Sequence, residues 1–234
     1  MGAATCYMCE LPETSREHAP PSCFFPEQKG YGKDLRRGLI TVPSCDAHNS
    51  VKSKDDEFMR SVIIMTSAPK SLAGRFQFFG KFLRAMRRRP HVFQSFFKDR
   101  GTAARGTGRV IQIDRPRFDR CVDNLARALF FHTYQRQWPH RIASISPNFY
   151  SGVESDQVKV HEPTKQGMEV ARKFLESVPT QGENPEVFEY KIRYDEQAGI
   201  FSVAMRFYES FEVYAFSLLN ETVTDEGLHN PRPT

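Results

Sequence analysis

Apolar residues in the middle of the chain recur at spacings of three and four, the period of an α-helix. Phe76, Phe79, Phe82, Leu83 and Met86 follow this spacing, which predicts a helix with one apolar face. Pro90 ends that run, because proline inside a helix removes a hydrogen bond and clashes with the preceding turn. A second helical segment is predicted over residues 91–98.

A longer helix is predicted to begin near Pro116, since proline fits the first turn of a helix. The apolar face behind it also has helical spacing and consists of Phe118, Cys121, Val122, Leu125, Ala128, Leu129 and Phe130. We therefore expect residues 66–136 to be mainly helical.

The period of the apolar positions changes to two near the C-terminus. Alternating runs lie around Val187–Ile192, over Ile200–Phe207 and over Phe211–Leu219, and acidic or glycine-containing turns separate them. This pattern predicts an antiparallel meander. A short helix over Gly167–Val178 precedes it, and residues 139–162 are predicted to be a linker or irregular surface.

The N-terminal part has the pattern of a strand, a turn and a helix. Leu39–Val42 is short and rich in β-formers, and a polar stretch leads into the apolar residues of 58–65. The whole chain is therefore predicted to be α+β, with a metal-organised module at 1–65, a helical basic region at 66–138 and a C-terminal helix with an antiparallel sheet at 139–234.

Composition excludes several classes of protein. Hydrophobic residues make up 39% of the 234 residues, with 20 Phe, which is enough for a sizeable core. No run of about 18 uncharged apolar residues is present, so no membrane span is expected. The first residues lack the features of a secretory signal, and we expect a cytoplasmic protein.

Charge is distributed unevenly along the chain. Residues 70–120 contain 14 Lys and Arg against three acids, whereas residues 150–234 contain 8 against 15. A basic middle and an acidic C-terminal part indicate that the middle region contacts a polyanion.

Four residues near the N-terminus have the spacing of a zinc site. Cys6 and Cys9 form one pair with a two-residue gap, and Cys45 and His48 form a second. Two such pairs can complete a tetrahedron around Zn²⁺. The alternative is that His48 binds a catalytic metal and Cys23 takes its place on zinc, but the matched gaps favour His48.

Between the two pairs lies a candidate catalytic constellation. The imidazole of His18 could take a proton from water, and the adjacent carboxylate of Glu17 could hold a hard divalent cation. Asn49 follows the last zinc ligand, and its amide oxygen is a neutral second ligand for the same cation. The zinc would hold the strand of His18 against the helix of Asn49.

These motifs together resemble the HNH endonucleases. The resemblance covers residues 6–58 and rests on Cys6-x2-Cys9, Glu17-His18-x-Pro20 and Cys45-x2-His48-Asn49-x2-Lys52. It implies a ββα-metal fold with a structural zinc, and cleavage of DNA with one Mg²⁺ or Mn²⁺ ion. His18 then resembles the general base and Glu17 and Asn49 the metal ligands. Two departures are His48 in place of a cysteine and Glu17 in place of the commoner Asp.

The nuclease interpretation also gives the basic residues a role. Lys52 matches a basic position of the family, and phosphate contacts are expected from four arginines: Arg84, Arg87, Arg88 and Arg89. The expected partner is DNA, RNA is not excluded, and a homodimer would allow both strands to be cut. By resemblance alone, such a protein would suit defence or mobile DNA.

Two other functions fit the same residues. The first is a zinc-finger module that binds nucleic acid or protein without catalysis. The second is a zinc hydrolase with Glu17 and His18 on the zinc, which is weaker because two cysteine-containing pairs favour a closed tetrahedron.

Overall fold

A computed structural model of the chain describes residues 4–49, 53–66, 70–91, 97–99, 109–111, 113–149 and 162–217. The protein is α+β, with two small two-stranded sheets and one five-stranded antiparallel sheet. None of the helices within these ranges is long and apolar enough to cross a bilayer.

The N-terminal region is built on a hairpin of β1 (Ser15–His18) and β2 (Thr41–Ser44). The two strands pair antiparallel, with Glu17 opposite Val42. The predicted strand at 39–42 is thus confirmed with a shift of two residues. Two short helices and one long helix accompany the hairpin: α1 (Gln28–Tyr31), α2 (Asp46–Asn49) and α3 (Ser53–Thr66).

The predicted helix around residues 76–86 is present as three consecutive segments. They are α4 (Leu72–Gln77), a π-helical turn (Phe78–Phe82) and α5 (Leu83–Arg88). Ser71 caps the start, since its side chain accepts a hydrogen bond from the Gly74 N–H.

The prediction of a second helix over residues 91–98 is wrong for its last residues. Phe97–Asp99 forms strand β3, which pairs with β4 (Arg109–Ile111). Residues 92–96 and the predicted loop at 101–108 lie outside the described residues. The apolar spacing of 92–97 suits either period over so short a run.

The helix predicted at Pro116 is confirmed as α6 (Arg115–Tyr134), with proline in its first turn. The Asp114 side chain caps it by accepting a hydrogen bond from the Arg117 N–H. Gln135 ends the helix in a left-handed conformation. One face of α6 is buried among the other elements, as the spacing of its apolar residues predicted.

The C-terminal sheet has the strand order β5-β9-β8-β7-β6, with every neighbouring pair antiparallel. The predicted meander is confirmed as β7 (Phe188–Asp195), β8 (Ile200–Phe207) and β9 (Phe211–Ser217). Two edge strands were not predicted: β5 (Ile142–Ile145) and β6 (Gln181–Asn184). The helix before the sheet is α7 (Glu162–Phe174), which begins earlier than predicted.

The sheet buries both of its faces, because side chains alternate along each strand. Val213 and Ala215 of β9 join the main core with α3 and α6, whereas Tyr214 and Phe216 pack against α7. The main core runs from Cys6 to Ala215. It therefore includes side chains from all three regions predicted from the sequence.

A candidate zinc centre beside an acidic and histidine-lined cavity

Cys6, Cys9, Cys45 and His48 come together in one cluster, and their ligand atoms all lie within 4.8 Å of one another. The His48 Nδ1 atom is 3.5 Å from the Sγ atoms of Cys6 and Cys9 and 3.2 Å from that of Cys45. The Sγ atoms of Cys9 and Cys45 are 3.8 Å apart. Among the described residues, this is the one group of three or more Cys, His, Asp or Glu close enough to share an ion.

These distances fit a tetrahedral zinc ion. Zinc–sulfur bonds of about 2.3 Å and zinc–nitrogen bonds of about 2.0–2.1 Å give tetrahedral edges of roughly 3.8 Å and 3.6 Å. Three soft sulfurs and one imidazole are also donors that zinc prefers. Cys23 does not belong to the cluster, so the predicted set with His48 is the one the fold assembles.

The thiols of the cluster differ in their ease of ionisation. Burial raises the pKa of Cys9 to about 11. Burial also opposes ionisation of Cys45, but backbone N–H groups of His48 and Ala47 and the neighbouring thiols outweigh it and lower the pKa. A bound divalent cation would stabilise the thiolate form of all three cysteines.

The first cysteine pair is held by residues far away in sequence. The Gln137 side-chain amide donates hydrogen bonds to the carbonyl oxygens of Cys6 and Cys9, at 2.8 and 2.9 Å. The segment of Gln137 is fixed in turn by the buried guanidinium of Arg127, which donates to the carbonyls of Trp138 and His140. No local pattern in the sequence marks Gln137 for this role.

Tyr7 connects the zinc cluster to the predicted catalytic strand. Its side chain is 1% exposed, and its hydroxyl donates a hydrogen bond to the Glu17 carboxylate. Burial, followed by the nearby Glu17 charge, raises the pKa of Tyr7 well above its usual value. The tyrosine therefore stays protonated and can fix the position of Glu17. Its place between two zinc ligands is the only sequence signal for this role.

Asn49 lies on the face of β1 that carries Glu17. Its Nδ2 atom donates a 2.7 Å hydrogen bond to the Ser15 hydroxyl, and Ser15 and Glu17 are two residues apart on one strand. Because the nitrogen of this planar amide faces Ser15, its carbonyl oxygen faces away from that hydroxyl. Asn49 is the last residue of the short helix α2.

His18 and Glu17 line a small cavity together with residues of two helices. Asp55 and Asp56 from α3 and Asn124 from α6 complete its polar wall. The volume of about 20 Å³ has room for roughly one water molecule or ion. His18 is exposed to solvent at the end of β1, whereas Glu17 is half-buried.

Asp55 already has a strong partner. The Arg117 guanidinium binds its carboxylate at 2.7 and 2.8 Å and lies 4.3 Å from the ring centroid of Phe58. Arg117 also donates to the Lys54 carbonyl. This ion pair joins the start of α3 to α6 and fixes one wall of the cavity.

The four arginines predicted to contact phosphate lie on one helical segment. Arg84, Arg87, Arg88 and Arg89 are all exposed, on α5 and directly after it. Lys52 lies outside the described residues.

Comparisons with protein families, with curated proteins and with solved structures found no match.

Proposed function

We propose that this protein is a metal-dependent endonuclease of the HNH type that hydrolyses phosphodiester bonds in DNA. The observation that carries the proposal is the small cavity that Glu17 and His18 both line, joined through Tyr7 to the Cys3His cluster. The resemblance of residues 6–58 to the HNH motifs adds the expected reaction.

In this proposal each residue of the site has a separate role. The exposed imidazole of His18 takes a proton from the attacking water. The carboxylate of Glu17 and the amide oxygen of Asn49 would hold one Mg²⁺ or Mn²⁺, which supplies Lewis-acid stabilisation of the phosphate charge and the leaving oxygen. The zinc cluster is structural, and RNA is a possible substrate by the same chemistry.

A plasmid-nicking assay on purified protein with added Mg²⁺, Mn²⁺ or EDTA tests the proposal. Cleavage should require the divalent ion, and His18→Ala should reduce its rate by about 10²–10⁴-fold, the usual contribution of a general base. His132→Ala is the matched control, because His132 is an exposed histidine at the end of α6. The zinc content should be one per chain in all three proteins.

A second candidate is a zinc module that binds nucleic acid without cutting it. It is favoured by the fact that the described residues contain no group of three Cys, His, Asp or Glu ligands other than the Cys3His cluster. Bound zinc with no cleavage of plasmid, single-stranded DNA or RNA under any metal would support this candidate. Equal cleavage by the wild type and His18→Ala would contradict the proposed role of His18.

A further inference from the structure

The α4–α5 helical segment carries an exposed aromatic ring and several exposed cations. Phe79 is 67% exposed although it belongs to an apolar helical pattern. Arg75, Arg84, Arg87 and Arg88 of the same segment are also exposed. Helical spacing predicted that Phe79 shares one apolar face with Phe82, but Phe79 is exposed and Phe82 is buried.

The π-helical turn explains this exposure. A π turn accommodates one residue more than an α turn, so the residues beyond it rotate relative to those before it. Phe82 stays buried on the far side of the turn, whereas Phe79 faces outwards. The Arg84 Nε atom donates a 2.7 Å hydrogen bond to the carbonyl of Gly80, the residue after Phe79.

The exposed ring of Phe79 packs on a stack of two other rings. Phe79 contacts Phe78 edge to face with centroids 5.1 Å apart, and Phe78 stacks on the buried Phe82 at 5.5 Å. Burial of the lowest ring fixes the stack. Little side-chain entropy is then left to lose when a flat molecule binds to Phe79.

The positive charge of this helical segment indicates a polyanionic partner. Residues 70–91 contain seven Lys and Arg and no acid. Lys81 is paired with Glu27 at 2.8 Å, so most of the positive charge stays on the arginines. A polyanion with flat groups at regular intervals matches both the cations and the ring.

We propose that Phe79 is a stacking platform for an unpaired base, and that Arg84, Arg87 and Arg88 bind the phosphates of the same single strand. In a duplex the bases already stack on one another, and opening a step costs a few kcal/mol. Single-stranded nucleic acid offers its base faces without that cost. The inference deepens the proposed function, since it names unpaired nucleic acid as the substrate class.

A lipid surface fits the same residues less well. Membrane binding by a helix grows with the apolar area that enters the lipid. Among the described residues of this segment, only Leu72 and Phe79 are large, apolar and widely exposed, and Arg75 lies between them in sequence.

The test is binding of a fluorescent oligothymidylate and of a duplex of the same length, measured by anisotropy at several salt concentrations. All proteins carry His18→Ala, so that binding is measured without cleavage. Phe79→Ala should weaken single-strand binding by about 5–100-fold and leave the salt dependence unchanged, because stacking releases no counterions. Phe79→Trp should preserve the affinity.

Two further variants separate stacking from charge. Arg87→Ala should lower the slope of log affinity against log salt by about 0.7, the value for one phosphate contact on a single strand. Leu72→Ala is the matched control, since Leu72 is 70% exposed on the same segment, and it should bind as the parent does.

Three outcomes would overturn the inference: equal affinity of Phe79→Ala and the parent, tighter binding to the duplex than to the single strand, or binding to phosphatidylserine vesicles without binding to the oligonucleotide. Failure of the plasmid assay would leave these measurements unaffected, because they use a protein that lacks the proposed base.

Discussion

Gln137 is distant in sequence from the candidate zinc ligands but supports the backbone of two of them. Its amide nitrogen satisfies two carbonyl groups of the Cys6–Cys9 turn, and such outer contacts orient metal ligands. We expect Gln137→Ala to destabilise the protein by about 1–3 kcal/mol, because two partly buried acceptors lose their donor. We also expect faster zinc release.

Chemical denaturation and transfer of zinc to a coloured chelator would measure both effects. Gln135→Asn is the matched control, since the Gln135 amide binds only carbonyls of its own helix and Asn tolerates the left-handed backbone there. Equal zinc-release rates for Gln137→Ala and the wild type would show that the contact does not support the zinc site.

Tyr7 is expected to affect catalysis without touching the substrate. Under the proposed function, Tyr7→Phe removes the hydroxyl that positions Glu17 and should weaken Mn²⁺ binding or cleavage by about 10-fold or more, as loss of an outer partner of a metal ligand does. Tyr31→Phe is the matched control, because it also breaks a tyrosine–glutamate hydrogen bond, of 3.2 Å to Glu186.

The readout is cleavage rate against Mn²⁺ concentration, beside the zinc content of each variant. A shift of the Mn²⁺ midpoint with full zinc content indicates positioning of Glu17. Loss of zinc in Tyr7→Phe would instead assign Tyr7 to the structural site.

Two cysteines outside the Cys3His cluster are expected to make the free energy of unfolding depend on pH in the alkaline range. Burial raises the pKa of Cys23 from 9.0 to about 11 and that of Cys121 from 9.0 to about 12. Between pH 9 and 11 the folded protein therefore binds more protons than the unfolded chain. The free energy of unfolding should fall as pH rises through this window and show no change from these thiols below it.

Urea unfolding at several pH values from 8 to 11 would measure this dependence. The double variant Cys23→Ala/Cys121→Ala should lose stability less steeply, while other groups titrate equally in both proteins. Parallel curves would mean that neither thiol ionises differently in the folded state.

At the scale of elements, the position of α7 depends on one small residue. A Cβ atom at Gly167 would come within 2.7 Å of the Phe216 Cζ atom, closer than real contacts allow. Gly167→Ala should push the helix off the sheet at a cost of about 1–3 kcal/mol, which outweighs the gain in helix propensity. Thermal denaturation would measure the fall in Tm.

Val170→Ala on the same helix is the control, because Val170 is 57% exposed and its change should leave Tm nearly unaltered. An unchanged or higher Tm for Gly167→Ala would mean that α7 can shift without losing its contacts.

The elements also show where the sequence was informative. Helix α6 and strands β7–β9 were predicted because their apolar residues have a clear period and their termini have caps or turns. Strand β6, Gln181–Asn184, contains no large apolar residue, and β5 lies among polar residues and prolines. Strand β5 forms by pairing with β9, which is distant in sequence, and β6 forms by pairing with the adjacent strand β7. Neither strand has an apolar period of its own that would have predicted it.

The candidate site also contains residues that the sequence could predict and residues that it could not. The grouping of Cys6, Cys9, Cys45 and His48 was predictable, because two matched gaps indicate a shared ion independently of the loop between them. Gln137, Tyr7 and Asn124 were not, because each reaches the site through the packing of α6 and the zinc-binding region. The exposure of Phe79 depends on a π turn that the apolar pattern does not show.

At the scale of the whole molecule, the C-terminal sheet completes the core of the zinc-binding region. The ring of Phe24 packs against Phe207 with centroids 5.3 Å apart, and the buried Tyr208 hydroxyl donates a 2.8 Å hydrogen bond to the Phe24 carbonyl. We therefore expect a fragment of residues 1–138 to expose apolar surface and bind ANS. Adding a fragment of residues 139–234 should reverse this, and a compact, ANS-negative first fragment would contradict it.

The contact between Tyr208 and Phe24 has a consequence for the order of events during synthesis. The four candidate zinc ligands lie within residues 6–48, but Tyr208, the partner of Phe24, follows Phe24 by 184 residues. Zinc could bind to the nascent chain early, whereas the apolar side chains around the cluster become buried only after β8 and β9 have been translated. Throughout that interval the region of the Cys3His cluster exposes apolar surface that the finished fold buries, and chaperone binding is expected at that stage.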